Sequence, residues 1–338
     1  FSKLGARCAV LNDLSPAATF IAYNYNTPVD VIAFEREAKR ILKEVEEECG
    51  WMYRTLHTAS SRIEQRGLSD EWAGKLKACK TVEDIRSLLG SQSVAFGTIN
   101  YTVWSDVFVC PECTKEVVFW DAAVDKEAGK VHEQFPCPHC GASLTKRHMD
   151  RAWVTKYDKA IGQTIRQAKQ VPVLINYSVG KKRYEKKPDA FDLVLIDKIA
   201  QLDIPYWFPS NPIPKGDKTG EPLRIGITHV HHFYTKRNLW VLGAYCNRVS
   251  TRHLFLPSSL AIHINKMRRY QPVKQGGTPG LPGTLYLSAI SVELSFFDGA
   301  PRKNSSIKRA FEKIKILSNT ISTEDASFIP IDSNAVDY

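Results

Sequence analysis

The chain has 338 residues, a formal net charge of +10 and a hydrophobic fraction of 43%. That is the composition of a protein with an ample buried core, long enough for two domains or one elaborate one. No apolar run approaches the ~20 residues of a membrane span and no signal peptide opens the chain, so the expectation is a cytoplasmic protein without a membrane partner. The basic excess favours an anionic partner, most simply nucleic acid, over a merely solvated basic surface.

In chain order, residues 6–13 read as a short strand ending in Asp13, and Leu14-Ser15-Pro16 then leads into a helical stretch. In a nucleotide-binding α/β fold an acid in this place takes both ribose hydroxyls; otherwise it caps a plain strand-to-helix turn. The glycine-rich turn that should precede such a strand is absent from the sequence. Thr27-Pro28-Val29-Asp30 has the pattern of a capping box with proline at the first helical position. Ile32, Phe34, Ala38, Ile41, Leu42 and Val45 then recur at helical spacing up to Gly50. Thr81-Val-Glu-Asp84 opens a second, short helix that stops near Gly90.

Cys110-Pro-Glu-Cys113 and Cys137-Pro-His-Cys140 follow. A two-residue gap lets both sulfurs of a tight knuckle reach one tetrahedral ion, and two knuckles complete a Cys₄ shell. A closed shell leaves no position for water or substrate, so the site is structural. The spacing thus predicts Zn²⁺ in a zinc ribbon with strands near 99–109 and 116–121. Two disulfides are the alternative, but they need an oxidising compartment for which nothing in the sequence speaks.

Beyond the ribbon, 171–179 reads as a strand and 189–202 as a helix. A Pro/Gly-rich loop carrying Tyr206, Trp207 and Phe208 comes next, then a helix over 235–246. Residues 275–283 read as a flexible loop, 284–294 as a strand, and Ile307, Ala310, Phe311, Ile314 and Leu317 as one face of an amphipathic helix. Residues 321–338 read as strand, acidic turn and the opening of another strand. With residues 6–13 they are expected to be pieces of one parallel sheet whose remainder lies outside the sequence.

Basic residues gather in three places: Lys181-Lys182-Arg183-Tyr184-Glu185-Lys186-Lys187, Lys266-Met267-Arg268-Arg269-Tyr270, and 302–315. Lys181, Lys182, Arg183, Lys186 and Lys187, with Lys266, Arg268 and Arg269, are the candidates for contact with double-stranded DNA, aromatics lying beside them to stack. Asn265 and Gln271 are secondary candidates for reading bases, Arg248 and Arg252 weaker ones for phosphate. His229, His231 and His232 invite a second metal, but no neighbouring Cys or carboxylate in the sequence completes a set, which points to hydrogen-bonded structural histidines.

Several segments resemble a known family. Ala9-Val-Leu-Asn-Asp13-Leu-Ser-Pro16 is similar to the stretch after the glycine-rich cofactor motif of S-adenosylmethionine-dependent DNA amino-methyltransferases. Glu324-Asp325-Ala326 and residues 331–338 resemble the approach to their catalytic Asp-Pro-Pro-Tyr/Phe tetrad. The ribbon between them, with residues 173–187 and 226–235, resembles the adenine-specific subgroup that contains a zinc ribbon.

The resemblance implies a target recognition domain of a restriction-modification type enzyme: an α+β fold with an inserted Cys₄ ribbon, flanked by edges of a Rossmann-like sheet. It divides the chain into 1–28 (catalytic-domain remnant), 29–98 (helical), 99–150 (ribbon), 151–300 (DNA recognition) and 301–338 (return to the catalytic domain). It also implies that Asp13 holds the cofactor ribose and that Asp325 meets its adenine amine. The catalytic domain of the same polypeptide becomes the intramolecular partner. Because neither the glycine-rich turn nor the tetrad occurs in these residues, the chain alone is expected to be inactive. A stand-alone zinc-ribbon nucleic-acid-binding protein is the competing reading. A zinc-ribbon nuclease is a weaker one, because no Asp…Glu-x-Lys cluster stands out.

Overall fold

The computed structural model describes residues 8–57, 62–90, 96–274, 276–313 and 318–322. Strand β1 (Cys8–Asn12) is followed by helix α1 (Pro16–Asn26), with Ser15 at its N-cap and Pro16 at its first position. Thr27 closes α1 rather than opening the next helix. Helix α2 (Val31–Cys49) starts after Asp30, whose Oδ1 accepts the N–H groups of Ile32 and Ala33 at 3.0 Å each. A short 3₁₀ turn leads to β2 (Arg54–Leu56), then α3 (Arg62–Ala78), which the sequence reading missed, and α4 (Val82–Leu89). In α4 the expected capping box forms, Thr81 and Asp84 each bonding the other's backbone N–H.

The longest strand, β3 (Phe96–Val109), runs into the first cysteine knuckle. Strand β4 (Glu116–Val118) is half the length expected, because residues 119–123 turn into the short helix α5 (Phe119–Ala123) and bury Phe119 and Trp120. Small strands β5 (Val124–Asp125), β6 (Lys130–Val131), β7 (Gln134–Pro136) and β8 (Ser143–Thr145) build the rest of this lobe, and β9 (Asp150–Arg151) returns to β3. There follow the hairpin β10 (Trp153–Asp158) and β11 (Gln163–Ala168), then β12 (Gln170–Val179) and β13 (Lys182–Lys186). Helix α6 (Ala190–Gln201), α7 (Gly220–Arg224), α8 (Lys236–Cys246) and α9 (Phe255–Ala261) precede β14 (Arg269–Gln271), β15 (Gly276–Thr278) and β16 (Ile290–Leu294). Helix α10 (Phe296–Lys313) and β17 (Ser318–Ser322) complete the order.

Among the described residues nine strands form one antiparallel sheet that curls into half a barrel, in the path β13-β12-β3-β16-β14-β15 with β2, β4 and β9 also on β3. The molecule is thus a mixed α and β fold, as expected. Residues 276–278 are not a free loop but pair with β14. Gly277 permits it: a Cβ there would lie 2.5 Å from Arg268 Nε and 3.0 Å from the Val292 side chain. The strand expected over 284–294 is confined to β16. The two end strands pair in parallel, Cys8 opposite Ser318 through Asn12 opposite Ser322, the pairing expected of pieces of one sheet.

One continuous core joins the inner faces of α2, α3, α6, α8 and α10 to the sheet. Phe34, Ile41 and Val45 of α2 meet Phe311 and Ile307 of α10 there, and Tyr245 meets Phe296. At its centre Arg237 and Glu293 form a buried bidentate pair at 2.6 and 2.5 Å. Thr102 accepts a further guanidinium hydrogen bond, and Trp104 Nε1 donates to the carboxylate. A charge taken from water needs this full set of partners. It is complete here, so Arg237 is a framework residue.

Candidate functional site

Both knuckles fold by the same local rule. Thr114 N–H donates to Cys110 O at 2.9 Å, and Gly141 N–H to Cys137 O at 3.0 Å. The residue after each second cysteine is left-handed, Thr114 at φ 58 and Gly141 at φ 75. Glycine suits that conformation and a β-branched threonine does not. The turns bring Cys110 Sγ within 3.8 Å of Cys140 Sγ, and Cys113 Sγ within 3.8 Å of Cys137 Sγ. Sulfurs at that spacing on a regular tetrahedron lie about 2.3 Å from its centre, the length of a zinc–thiolate bond. Cys110 and Cys137 are buried against Phe119 and Phe135, while Cys140 is exposed. The four cysteines could therefore hold one metal ion. His139 stays outside the set, its Nε2 at 2.9 Å from Glu116 O.

The basic candidates divide. Lys181, Lys182, Arg183 and Lys187 are exposed around the β12–β13 turn. Arg183 lies 3.5 Å from Asp298 and Lys187 3.4 Å from Asp121. Lys186 must be withdrawn as a DNA contact. Strand alternation turns it inward, where it sits 2.6 Å from Asp189 and 2.9 Å from Asp192 with its side chain 7% exposed. Burial opposes its charge, but Asp192 and Asp189 outweigh that and raise its pKa.

Lys266 is half-buried and lines a half-open pocket with Lys156 and Lys236, away from the Lys181–Arg183 turn. Arg268 is half-buried and donates to Gly277 O at 2.8 Å. Arg269 is half-buried within β14. Asn265 is buried, its Oδ1 taken by Met267 N–H. Arg248 pairs with Glu48, and Arg252 donates to the carbonyls of Thr27 and Pro28, so both serve the fold. Trp207 remains 80% exposed, while Tyr206 is tied to Glu48 through its hydroxyl.

Sequence reasoning missed a second basic face. An open cleft of about 1120 Å³ between the cysteine lobe and α7 is lined by Lys146, Arg147, Arg151, Arg166 and Arg224, with Glu116, Asp150 and Glu221. Arg166 stacks on Trp153, its guanidinium carbon 4.6 Å from the ring centre. Lys146, Arg147 and Arg151 are near one another in sequence, but Arg166 and Arg224 join them only in the fold.

The other face of the β10–β11 hairpin walls a smaller cavity of about 240 Å³, whose lining includes Lys156, Lys236 and Lys266. Burial, reinforced by the charge of Lys156, pushes the Lys266 ammonium down to about 7. In an adjoining pocket that shares Lys156, Lys236 and Lys266, two of the three histidines, His231 and His232, do find a carboxylate. Asp158, distant in sequence, has one oxygen 2.8 Å from His231 Nε2 and 2.7 Å from His232 Nε2.

Hydrogen-bond accounting decides the role of this group. Thr228 N–H donates to His232 Nδ1 at 3.2 Å, so the proton of neutral His232 is on Nε2 and points at Asp158. A metal on Nε2 would force a proton onto Nδ1, against the Thr228 N–H. Although Asp158, His231 and His232 are close enough to ligate an ion, they form a hydrogen-bonded triad. The carboxylate absent from the local sequence is present for His231 and His232, while His229 Nδ1 lies 2.8 Å from the Thr228 hydroxyl. Burial works against the Asp158 charge, but the bonds from His232 and His231 outweigh it and hold the carboxyl at about 2. Burial pushes His232 down to about 4.

Asp13 lies exposed at the carboxyl end of β1, where its Oδ1 accepts the Ser15 N–H at 2.7 Å. It thus acts as the cap of the strand-to-helix turn. Asp325, Ile314 and Leu317 lie outside the described residues. Among the described residues no helix is long and apolar enough to cross a membrane. No family model, no curated protein and no solved structure matches the chain.

Proposed function

We propose that the chain binds duplex DNA and serves as the target recognition part of an S-adenosylmethionine-dependent DNA amino-methyltransferase acting on adenine N6, with Zn²⁺ held by the four cysteines as a structural ion. The observation that carries the DNA reading is the pair of exposed basic features flanking the cysteine lobe: the Lys181–Arg183 turn and the cleft with Arg147, Arg166 and Arg224. Cations on an open surface neutralise phosphates and release counterions, and an aromatic beside them can stack on a base. The zinc reading rests on four sulfurs at tetrahedral spacing.

The methyltransferase reading rests on the resemblance of the end segments and on the parallel pairing of β1 with β17. In that reading the rest of the polypeptide supplies the catalytic tetrad and most of the cofactor site, Asp13 contributes a ribose contact, and the recognition part positions the target base. The second reading, a zinc-ribbon nucleic-acid-binding protein without enzymatic activity, rests on the cysteine quartet and the exposed basic features alone.

Fluorescence anisotropy with a duplex of about 30 base pairs tests the DNA reading. Affinity should fall steeply with salt. Alanine at Lys181, Lys182 and Arg183 together should reduce the salt slope by up to about three units, and Arg147→Ala with Arg166→Ala by up to about two. Binding that ignores salt sinks the reading. Transfer of a labelled methyl group from S-adenosylmethionine to adenine in DNA by the product of the complete gene separates the enzyme from the stand-alone binder.

A further inference from the structure

We propose that the half-open pocket between the β10–β11 hairpin, α6 and the start of α8 is a binding site for a small phosphate monoester of mononucleotide size, held by Lys156, Lys236 and Lys266. The inference is independent of DNA binding. Charge balance comes first. The one acid at the cavity floor, Glu293, is already satisfied: both oxygens are taken by Arg237, and Thr235 and Trp104 donate to it as well. In the adjoining pocket, which the same lysines border, Asp158 is engaged by two histidines and Asp203 is bonded by Lys159 at 2.8 Å. Three lysines thus line one pocket with no acid of that pocket left to pair with them.

Lys236 Nζ donates to Ala200 O at 2.9 Å. Among the described residues the ammonium groups of Lys156 and Lys266 have no carboxylate or carbonyl partner. Like charges lining one pocket repel one another unless an anion joins them. The site is built from three separate elements, so the convergence is not the accident of one basic run.

The remaining lining fits the same ligand. The first turn of α8 borders the cavity, and its N-cap Thr235 makes no side-chain capping bond, having given its hydroxyl to Glu293. A helix start left uncapped adds favourable potential for a phosphate. Val154, Ile196, Ile199 and Ile264 give the lining an apolar part beside the polar Gln167 and Gln170. A phosphate attached to a flat or apolar group suits this division better than free phosphate does.

Isothermal titration of the intact protein with inorganic phosphate and with adenosine 5′-monophosphate tests this. The expected result is saturable binding of the nucleotide, at least about tenfold tighter than phosphate. Lys266→Met and Lys156→Ala should each weaken it by about tenfold or more, the measure of one charge-assisted contact. Lys266→Met removes a desolvated charge and should fold; Lys156 is on the exposed face of a hairpin, so its loss provides an independent check. DNA affinity should stay within about twofold in the Lys266→Met protein. No heat and no saturation up to about 10 mM of either probe, or binding indifferent to both substitutions, overturns the proposal.

Discussion

The cysteine quartet and the Asp158–His231–His232 triad are both close groupings of metal-binding side chains, yet they are chemically opposite. The polar partners of the four sulfurs, among the described residues, are one another and backbone N–H groups, and the grouping could hold an ion. The triad is closed upon itself. Each histidine gives its Nε2 proton to one carboxylate oxygen, and Thr228 fixes the tautomer from behind. Ligand identity and proximity do not define a metal site. What defines it is whether the lone pairs aimed inward are free, and this is settled by tracing the protons on the far side of each ring.

The largest expected effect breaks this comparison on the cysteine side. Replacing Cys110 or Cys137 with alanine, or removing metal with a strong chelator, should unfold the lobe, since structural zinc sites carry about 10 kcal/mol or more of binding free energy. Circular dichroism and elemental analysis read this, with about one ion per chain expected beforehand. Cobalt substitution sharpens it: one equivalent with thiolate charge-transfer bands is expected. A second equivalent bound through nitrogen and oxygen would overturn the triad's assignment.

A smaller effect is expected at the triad. Asp158→Ala strands two buried N–H donors and should cost about 3 kcal/mol in urea denaturation, whereas Asp158→Asn, which keeps an acceptor, should cost less. The smallest is a pH dependence. His232 titrates near 6.5 when unfolded and near 4 when folded, so the unfolded state binds the extra proton between those values. Stability should therefore rise with pH from about 4 to about 6.5, by up to about 1.4 kcal/mol per unit, and flatten above. His232→Gln should remove this limb; an unchanged slope would show that His232 is not held neutral.

Much of this was legible in sequence wherever the determinants are local. The knuckle spacing, the Thr81–Asp84 box, α6, α8 and β12 depend on residues within a few positions of one another. The start of α2 was misplaced by proximity as well: Thr27 and Asp30 can both cap, and α1 runs long enough to claim Thr27 as its end. Helix α3 was missed because Gly67 and Gly74 interrupt a highly charged segment whose burial, through Trp72 and Leu76, depends on α6. Lys186 and Lys266 look like their basic neighbours in one dimension. Only strand parity and the packing of distant elements turn them inward. The lysine cavity and the Arg147–Arg166–Arg224 cleft could not be read at all, since their members are separated by tens of residues and meet only through the hairpin.

Strand β3 belongs to two structures at once. Its first eleven residues pair with β2, β12 and β16 in the central sheet, and its last three pair with β4 and β9 and deliver Cys110 to the knuckles. No flexible joint separates these roles. An ion held by the quartet would therefore steady a single hydrogen-bonded ribbon that runs on into the barrel wall, and its loss would be felt by the sheet as well as by the lobe. Hydrogen exchange at Val103, in the middle of the strand, would then vary with free zinc concentration, which makes the barrel itself a reporter of metal supply.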